Sequence, residues 1–429
     1  MYEVGIGLLG LGVVGSAVAK AISEGNSVST RSGVGLILRG VAVKDAGKKR
    51  SGCDISTDLI HQDANAVINR DDIDVIVEVI GGVDPAFEYI STALKSGKHV
   101  VTANKEVLCK RGEELLKIAR ENNKTLLFEA SVGGGIPILS PLSNDLIANE
   151  ISSIRAIING TTNYILSRMS DDGSDFTEAL AEAQNLGYAE ADPSSDINGH
   201  DALYKLIIIG RIAFGTDVQI DSVFREGITQ IKSRDFRYSK ELGYTIKLIA
   251  AAQRIDNKLL MRVHPALIPL SVPIASVSGA MNMVEVEGNL VGPLWFQGAG
   301  AGPEPTASAI LGDILKVAGS NDGHKFSGFE SFESPLPVME IAYHECRYYI
   351  RLTAADRSGV LARVAKILGD SDISIRSVIQ MDTDEKLNYA DLVIMTHLTR
   401  EANMQGAASK LRDLDVVISL DNLIRVETY

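Results

Sequence analysis

The stretch Leu186 to Ile209, LGYAEADPSSDINGHDALYKLIII, concentrates the side chains of this sequence that could do chemistry. Glu190, Asp192, Asp196, Asp201 and Lys205 lie there between apolar runs. From His200 onward the spacing predicts a helix, with Asp201 and Lys205 at i and i+4, stacked on one face. That face continues through Ile208, Ile209 and Ile212, so the acid and the amine belong at the edge of a core. Two readings are open. A half-buried lysine beside a carboxylate is a candidate proton donor, because desolvation lowers its pKa while the acid raises it. The alternative is an ordinary helix salt bridge, worth roughly a few tenths of a kcal/mol.

Such side chains need a scaffold. A chain of 429 residues has room for about three domains, each with its own core. Hydrophobic content of 45% with 23% charged residues is that of a globular protein. A net charge of -13 argues against nucleic acid or an anionic membrane surface as partner. Cys53, Cys109 and Cys346 form no CxxC pair, so neither a disulfide frame nor a zinc site is expected, and reduced cytoplasmic thiols are the simplest reading. No apolar run approaches the ~20 residues of a membrane span, and no targeting segment is expected.

The chain opens on an apolar strand, Val4 to Leu9, that runs into Gly10-Leu11-Gly12-Val13-Val14-Gly15 and a helix from about Val14. In this pattern the first glycine permits a tight turn, the second lets backbone approach a pyrophosphate, and the third allows close strand-to-helix packing. The helix N-terminus then offers N–H groups to phosphate. A second strand, Val34 to Val43, ends at Lys44-Asp45, with Lys48, Lys49 and Arg50 following. An acid there suits the ribose hydroxyls of NAD and bases suit a 2'-phosphate; the basic cluster slightly favours NADP. The run Val75 to Gly82 reads as a strand buried on both faces. A helix from Pro85 to Ser96 and a strand from His99 to Thr102 deliver Lys105 to the carboxyl end of a parallel sheet, where such sheets place ligands. Lys105 is either a cofactor or substrate contact or an exposed helix-start lysine. A helix from Glu106 to Glu121 and a strand from Thr125 to Glu129 complete this domain.

Glu129 to Ile138, EASVGGGIPI, is a glycine-rich crossing. It could hold a hard monovalent cation through Glu129 and main-chain oxygens, or serve as a plain hinge. Beyond it the pattern predicts a strand from Ser153 to Asn159, a turn Gly160-Thr161-Thr162-Asn163, a helix from Phe176 to Leu186, helical segments near Ser222 to Gln230 and Ser239 to Gly243, and three strands within Thr245 to Asn289. His264 reads as a packed strand residue. The loop Gly298 to Gly302, followed by a helix with Pro305 at its start, suggests a return to the nucleotide domain. Residues 324–337 read as a linker, and the last block follows the β-α-β-β-α-β order of a split βαβ module, with no catalytic constellation of its own.

Taken in order, GLGVVG, GGVDP, GKHVVTANK, EASVGGGIP, NGTTNYIL, LGYAEADPSSDINGHDALYKL and GAGAGPEPTASA resemble the motifs of homoserine dehydrogenases, in the monofunctional form that carries a C-terminal ACT domain. The resemblance implies an α/β and α+β chain: a Rossmann-type NAD(P)-binding domain over 1–135 completed by 303–322, a mixed-sheet substrate-binding and dimerisation domain over 136–302, a linker over 323–345, and a ferredoxin-like ACT domain over 346–429. It implies an oxidoreductase that reduces L-aspartate 4-semialdehyde to L-homoserine with NADH or NADPH, in threonine and methionine biosynthesis. Lys205 then corresponds to the proton donor and Lys105 to a second catalytic lysine that also meets the cofactor. Glu190, Asp196, Asp201, Gly160, Thr161 and Tyr188 correspond to substrate contacts. Gly10, Gly12, Val13, Val14, Gly15, Lys44, Arg50, Gly81, Thr102, Gly187, Glu190 and Gly302 correspond to cofactor contacts. A sodium-type ion would rest on Glu129, Val132, Gly134 and Ile136. A homodimer or higher oligomer and an amino-acid effector, threonine, at the ACT domain are further implications. Two departures stand out: the late loop reads GAGAG where GPGAG is expected, and VKDAGKKR after the second strand leaves NAD against NADP open. The rivals are a dehydrogenase of another amino acid or semialdehyde, and a non-catalytic amino-acid sensor.

Overall fold

A computed structural model describes residues 2–24, 32–47, 55–319, 336–384 and 388–427. Lys48, Lys49 and Arg50, and most of the expected linker, lie outside the described residues. The chain divides into two compact units. The first gathers Met1–Ile151, Tyr204–Ile220 and Val286–Pro335; the second gathers Ser152–Leu203, Asp221–Glu285 and Leu336–Tyr429.

In the first unit β1 (Tyr2–Leu9), β2 (Val34–Ala42), β3 (Ile60–His61), β4 (Val75–Glu78), β5 (His99–Thr102) and β6 (Leu126–Leu127) form one parallel sheet in the order β3-β2-β1-β4-β5-β6. The order reverses between β1 and β4, the switch point at which doubly wound sheets open a ligand crevice. All of Val75 to Glu78 is buried, as helices on both faces require. Val4, Ile6, Leu8, Val75 and Val77 pack with Val18 and Ile22 of the helix Val13–Ser23. Ile310 and Ile314 of the helix Pro303–Gly319 join the same core from far along the chain. Each fully buried isoleucine contributes about 1.5–3 kcal/mol, which is ample to dock that helix. β4 ends at Glu78, short of the expected Gly82, because Gly81 and Gly82 turn the chain out of the sheet at φ 83° and 72°. β6 keeps only two residues, since the chain coils at Glu129–Ser131.

In the second unit the sheet follows β7 (Ile151–Ile157), β9 (Tyr244–Ile255), β10 (Lys258–Pro269), β17 (Val417–Val426), β13 (Glu345–Ala355), β15 (Tyr389–Thr396) and β14 (Ile375–Asp384). β9 and β10 form a hairpin paired from Lys258 with Ile255 to Pro269 with Tyr244. Asp256, at φ 51°, supplies its tight turn. β10 meets β17 in parallel at Ala266 with Arg425 and Leu267 with Val426. Within the last block the order β17-β13-β15-β14, with helices Val360–Asp370 and Glu401–Arg412, is the split βαβ arrangement. Tyr348, Ile350 and Leu352 pack there against Val364, Leu368, Met404 and Leu411.

Three local expectations are corrected. The segment Gly160 to Asn163 is not a turn but the first turn of the helix Gly160–Asp172, since the Asn159 side chain accepts from Thr162 N and caps it. Ser222 to Gln230 is not helical. A single 3-10 turn at Ile220–Ser222 leads into β8 (Phe224–Arg225), which pairs with β10, and Gly227 lies so close to Ile197 that a Cβ would sit 2.3 Å from its carbonyl oxygen. The next helix spans Ser233–Glu241 rather than beginning at Ser239, with Asp235 accepting from Lys232 N at its start.

Candidate active site

In the glycine turn, a Cβ on Gly15 would lie 2.1 Å from Gly10 O, and Gly10 itself sits at φ 105° with Val79 O 2.9 Å from its notional Cβ. Chain packing therefore requires both glycines. Gly12 differs: nothing lies within 4 Å of its missing side chain. It precedes a helix whose first turn carries no acid and whose start has no side-chain cap, with Val13 and Val14 next and Val13 72% exposed. Uncapped N–H groups at a positive dipole end favour an anion. Lys44 stands exposed just past β2.

A hydrogen-bonded chain fixes the neighbouring strand ends. Buried Glu78 accepts from Ile80 N at 2.7 Å, Gly81 N at 3.3 Å and Thr102 Oγ1 at 2.6 Å. Asn104 Nδ2 reaches Gly82 O at 2.7 Å, while its Oδ1 caps Val107 N. Burial pushes the Glu78 carboxyl above the usual range, with these bonds working in the opposite direction. The sequence marked Glu78 only as the polar exception in an apolar strand. Its role is to hold the Gly81 loop and the start of the helix Lys105–Glu121, and hence the base of Lys105.

The Glu129 carboxylate accepts from Ile138 N at 2.7 Å, Leu139 N at 2.8 Å and Ser140 N at 2.7 Å. A cation at this crossing would therefore rely chiefly on main-chain oxygens of Val132, Gly134 and Ile136. Those oxygens suit a weakly held monovalent ion better than a divalent one. Among the described residues no group of three or more His, Cys, Asp or Glu side chains could hold a metal. The glycines here have a packing reason as well. A Cβ on Gly134 would come within 2.7 Å of Gly300, and one on Gly135 within 2.9 Å of Pro305. Gly302 adopts φ 127° in the same late loop.

In the second unit Asn159 Nδ2 donates to Asp196 Oδ1 at 2.6 Å and to Asp201 Oδ2 at 2.8 Å, while Asn159 Oδ1 accepts from Thr162 N and Oγ1. One amide thus gathers two carboxylates 42 and 37 residues away and anchors the helix that starts at Gly160. Gly160 is needed where Ala280 O approaches to 2.8 Å of a notional Cβ. Thr161 Oγ1 donates to Tyr188 O at 2.6 Å, and the Tyr188 ring lies 4.8 Å from that of Tyr164. Gly187 turns at φ 78° and Glu190 stands exposed. Asp201 and Lys205 are buried, 4% and 8% exposed, one turn apart on the helix His200–Phe214. Sequence reasoning does not single out Asn159; its signal is the N-x-T-T that opens the helix Gly160–Asp172.

A six-stranded parallel sheet with a glycine turn at its switch point, an acid-rich segment followed by a buried lysine, and a C-terminal split βαβ module fit an NAD(P)-dependent oxidoreductase with an appended C-terminal module. Family models agree along the chain: "Homoserine dehydrogenase, NAD binding domain" matches residues 10–129, "Homoserine dehydrogenase" 137–315 and "ACT domain" 348–416. A homoserine dehydrogenase of Corynebacterium glutamicum is 41% identical, over 99% of this chain and 96% of its own length. The crystal structure of a homoserine dehydrogenase from Thiobacillus denitrificans superposes with a TM-score of 0.90 at 40% identity, covering 100% of this chain and 99% of that one. A hyperthermophilic archaeal homoserine dehydrogenase in complex with NADPH gives 0.63 at 27% identity, over 77% of this chain and 100% of that one. The chain belongs to the homoserine dehydrogenase family. Among the described residues no helix is long and apolar enough to cross a membrane.

Proposed function

We propose that this chain reversibly reduces L-aspartate 4-semialdehyde to L-homoserine with NADPH favoured over NADH. The observation that carries the site assignment is the Asn159 clamp, which presents Asp196 and Asp201 together at the foot of the helix bearing Lys205. Two carboxylates held by a neutral amide keep net negative charge, which is what a substrate ammonium requires. Tyr188, whose carbonyl accepts from Thr161, and Glu190 are assigned to the same substrate end. The nicotinamide, when bound, supplies the hydride. Lys205 stabilises the incipient alkoxide and donates its proton, since a cationic amine can do both. Lys105, steadied through Asn104 and Glu78, supports cofactor and substrate oxygens. Gly10, Gly12 and the N–H groups of Val13 to Gly15 take the pyrophosphate, with Gly81, Thr102, Gly187 and Gly302 as further contacts.

The preference for NADPH draws on exposed Lys44 and on the NADPH bound by the archaeal relative. A sodium-type ion on Val132, Gly134 and Ile136, a homodimer, cytoplasmic residence and threonine as effector of the ACT domain complete the reading. The boundaries 1–135, 136–302, 303–322 and 346–429 are the domain assignment that goes with it. Lys205→Ala is the test: homoserine oxidation should fall by about 10²-fold or more while NADPH fluorescence titration stays near the parent value. Normal turnover in that variant would remove Lys205 from the chemistry.

A further inference from the structure

The second unit contains a polar cleft of about 260 Å³, none of whose lining residues is among those assigned to the active site. Its wall joins β7, β9 and β10 to the segment Met339–Cys346 and the end of β17. Arg262 lies on it, only 2% exposed. Its Nε donates to His264 Nε2 at 3.1 Å and its Nη2 to both oxygens of Glu427, at 2.8 and 2.9 Å. Its Nη1 is buried and has no partner. A guanidinium carries five N–H donors and no acceptor, and a buried donor without an acceptor costs free energy that a ligand oxygen recovers.

Charge narrows the class of ligand. Arg262 is matched by Glu427, Arg155 by Glu285 at 2.9 Å and Glu345 by Arg400 at 3.0 Å, so the wall is close to neutral. Glu427 and Glu345 both line the cleft and would repel a multiply charged anion. His344 and Tyr343 add donors at the rim and Gln253 adds an amide. We propose that this cleft binds a small singly charged carboxylate, with its oxygens on Arg262 Nη1 and His344 and a polar substituent toward Gln253. The site touches the hairpin sheet, the segment leading into the C-terminal module and the last strand of that module at once.

Saturation-transfer NMR on the full chain with lactate as probe, beside phosphate and lactamide, tests this. Transfer to lactate with millimolar affinity is expected, roughly tenfold weaker for lactamide and absent for phosphate. Arg262→Met should abolish it. Because that variant strands Glu427, Met339→Trp is the second arm: it fills the cleft from the half-buried rim and should abolish transfer while homoserine oxidation is kept. Absence of transfer in the parent chain, transfer that persists in Met339→Trp, displacement of lactate by homoserine, or an equal signal from phosphate would each overturn the assignment.

Discussion

Replacing Asn159 with aspartate isolates what the clamp does. The substitution keeps an acceptor for Thr162 N, now 2.8 Å away, so the helix cap of about 1 kcal/mol survives. What changes is the other half of the side chain. An amide that donates to Asp196 and Asp201 at 2.6 and 2.8 Å becomes a third carboxylate facing both. Two charge-assisted hydrogen bonds are worth about 1.5–3 kcal/mol each, and they give way to repulsion. Asp196 is half-buried, so water takes up part of its share and about 3 kcal/mol is the expected net loss near neutral pH. If the clamp shapes the ammonium site, kcat/KM for homoserine falls by about a hundredfold. Repulsion makes the folded state bind protons more readily than the unfolded chain, so the loss shrinks as pH falls and grows as pH rises. Asn159→Ala forfeits the cap but adds no charge, and its loss should not follow pH in this way. The assay is homoserine oxidation from about pH 6 to 9, paired with urea unfolding at the same pH values. An Asn159→Asp enzyme within about threefold of the parent at all pH values would refute the clamp, since that is under 1 kcal/mol.

Gly12→Ala should leave the melting temperature unchanged and weaken NADPH binding, because its Cβ enters open space before the helix, whereas Gly15→Ala should destabilise the first unit by about 2 kcal/mol or more through its 2.1 Å clash with Gly10 O; differential scanning calorimetry with NADPH titration separates the two. Asp235, fully buried, accepts from Arg351 Nε at 2.8 Å, Asn422 Nδ2 at 2.7 Å and Tyr349 OH at 3.2 Å. Asp235→Ala should cost about 3 kcal/mol in urea unfolding, at the low end for a broken buried pair, because Arg351 keeps Asp421 at 3.4 Å. Acid should destabilise the second unit in two stages. Burial, then Arg425 for His264 and Arg262 for His344, holds these imidazoles down at about 3 and about 4, so stability complete above about pH 6.5 is lost at about 1.4 kcal/mol per pH unit for each as pH falls. Burial would raise Glu427, but Arg262 and His264 hold it at about 2, so a further contribution of about 3 kcal/mol is present above about pH 4.5 and lost toward pH 2. Glu427→Gln should remove the second stage and, because the Glu427 charge raises both imidazoles, deepen the first.

How much of this was legible depended on whether the cause was local. The glycine turn announced itself because tight turn, open backbone and close packing each demand glycine at a fixed offset, and Gly10, Gly12 and Gly15 divide those tasks as the spacing implies. The start of the helix His200–Phe214 was legible from its apolar period, and the presence of strands within Thr245 to Asn289 from their apolar runs. Boundaries set by a distant partner were not. β8 exists because β10 accepts it beside Val263, and nothing within Ser222 to Gln230 says so. β12 (Gly292–Ala299) opens on Gly-Pro and alternates only in exposure, and its pattern was passed over.

The same distinction explains why the polar residues that organise the chain were the hardest to read. Asp196 and Asp201 drew attention because acids near a lysine suggest chemistry, but two neighbouring carboxylates repel unless something donates to both. That donor, Asn159, comes 37 residues before the first of them. Glu78 and Asp235 follow the same logic: each is a buried carboxylate made tolerable by donors from separate segments, Thr102 and the Gly81 loop for one, Arg351 and Asn422 for the other. An isolated acid in an apolar stretch therefore carries information of a specific kind. It states that several donors converge there, without stating which. In this chain Glu78 holds the Lys105 helix start and Asp235 the face of the C-terminal sheet, whereas the paired acids before Lys205 share the single donor Asn159. Each is stabilised only when all its donors are present, so single substitutions at the acceptor should cost more than substitutions at any one donor.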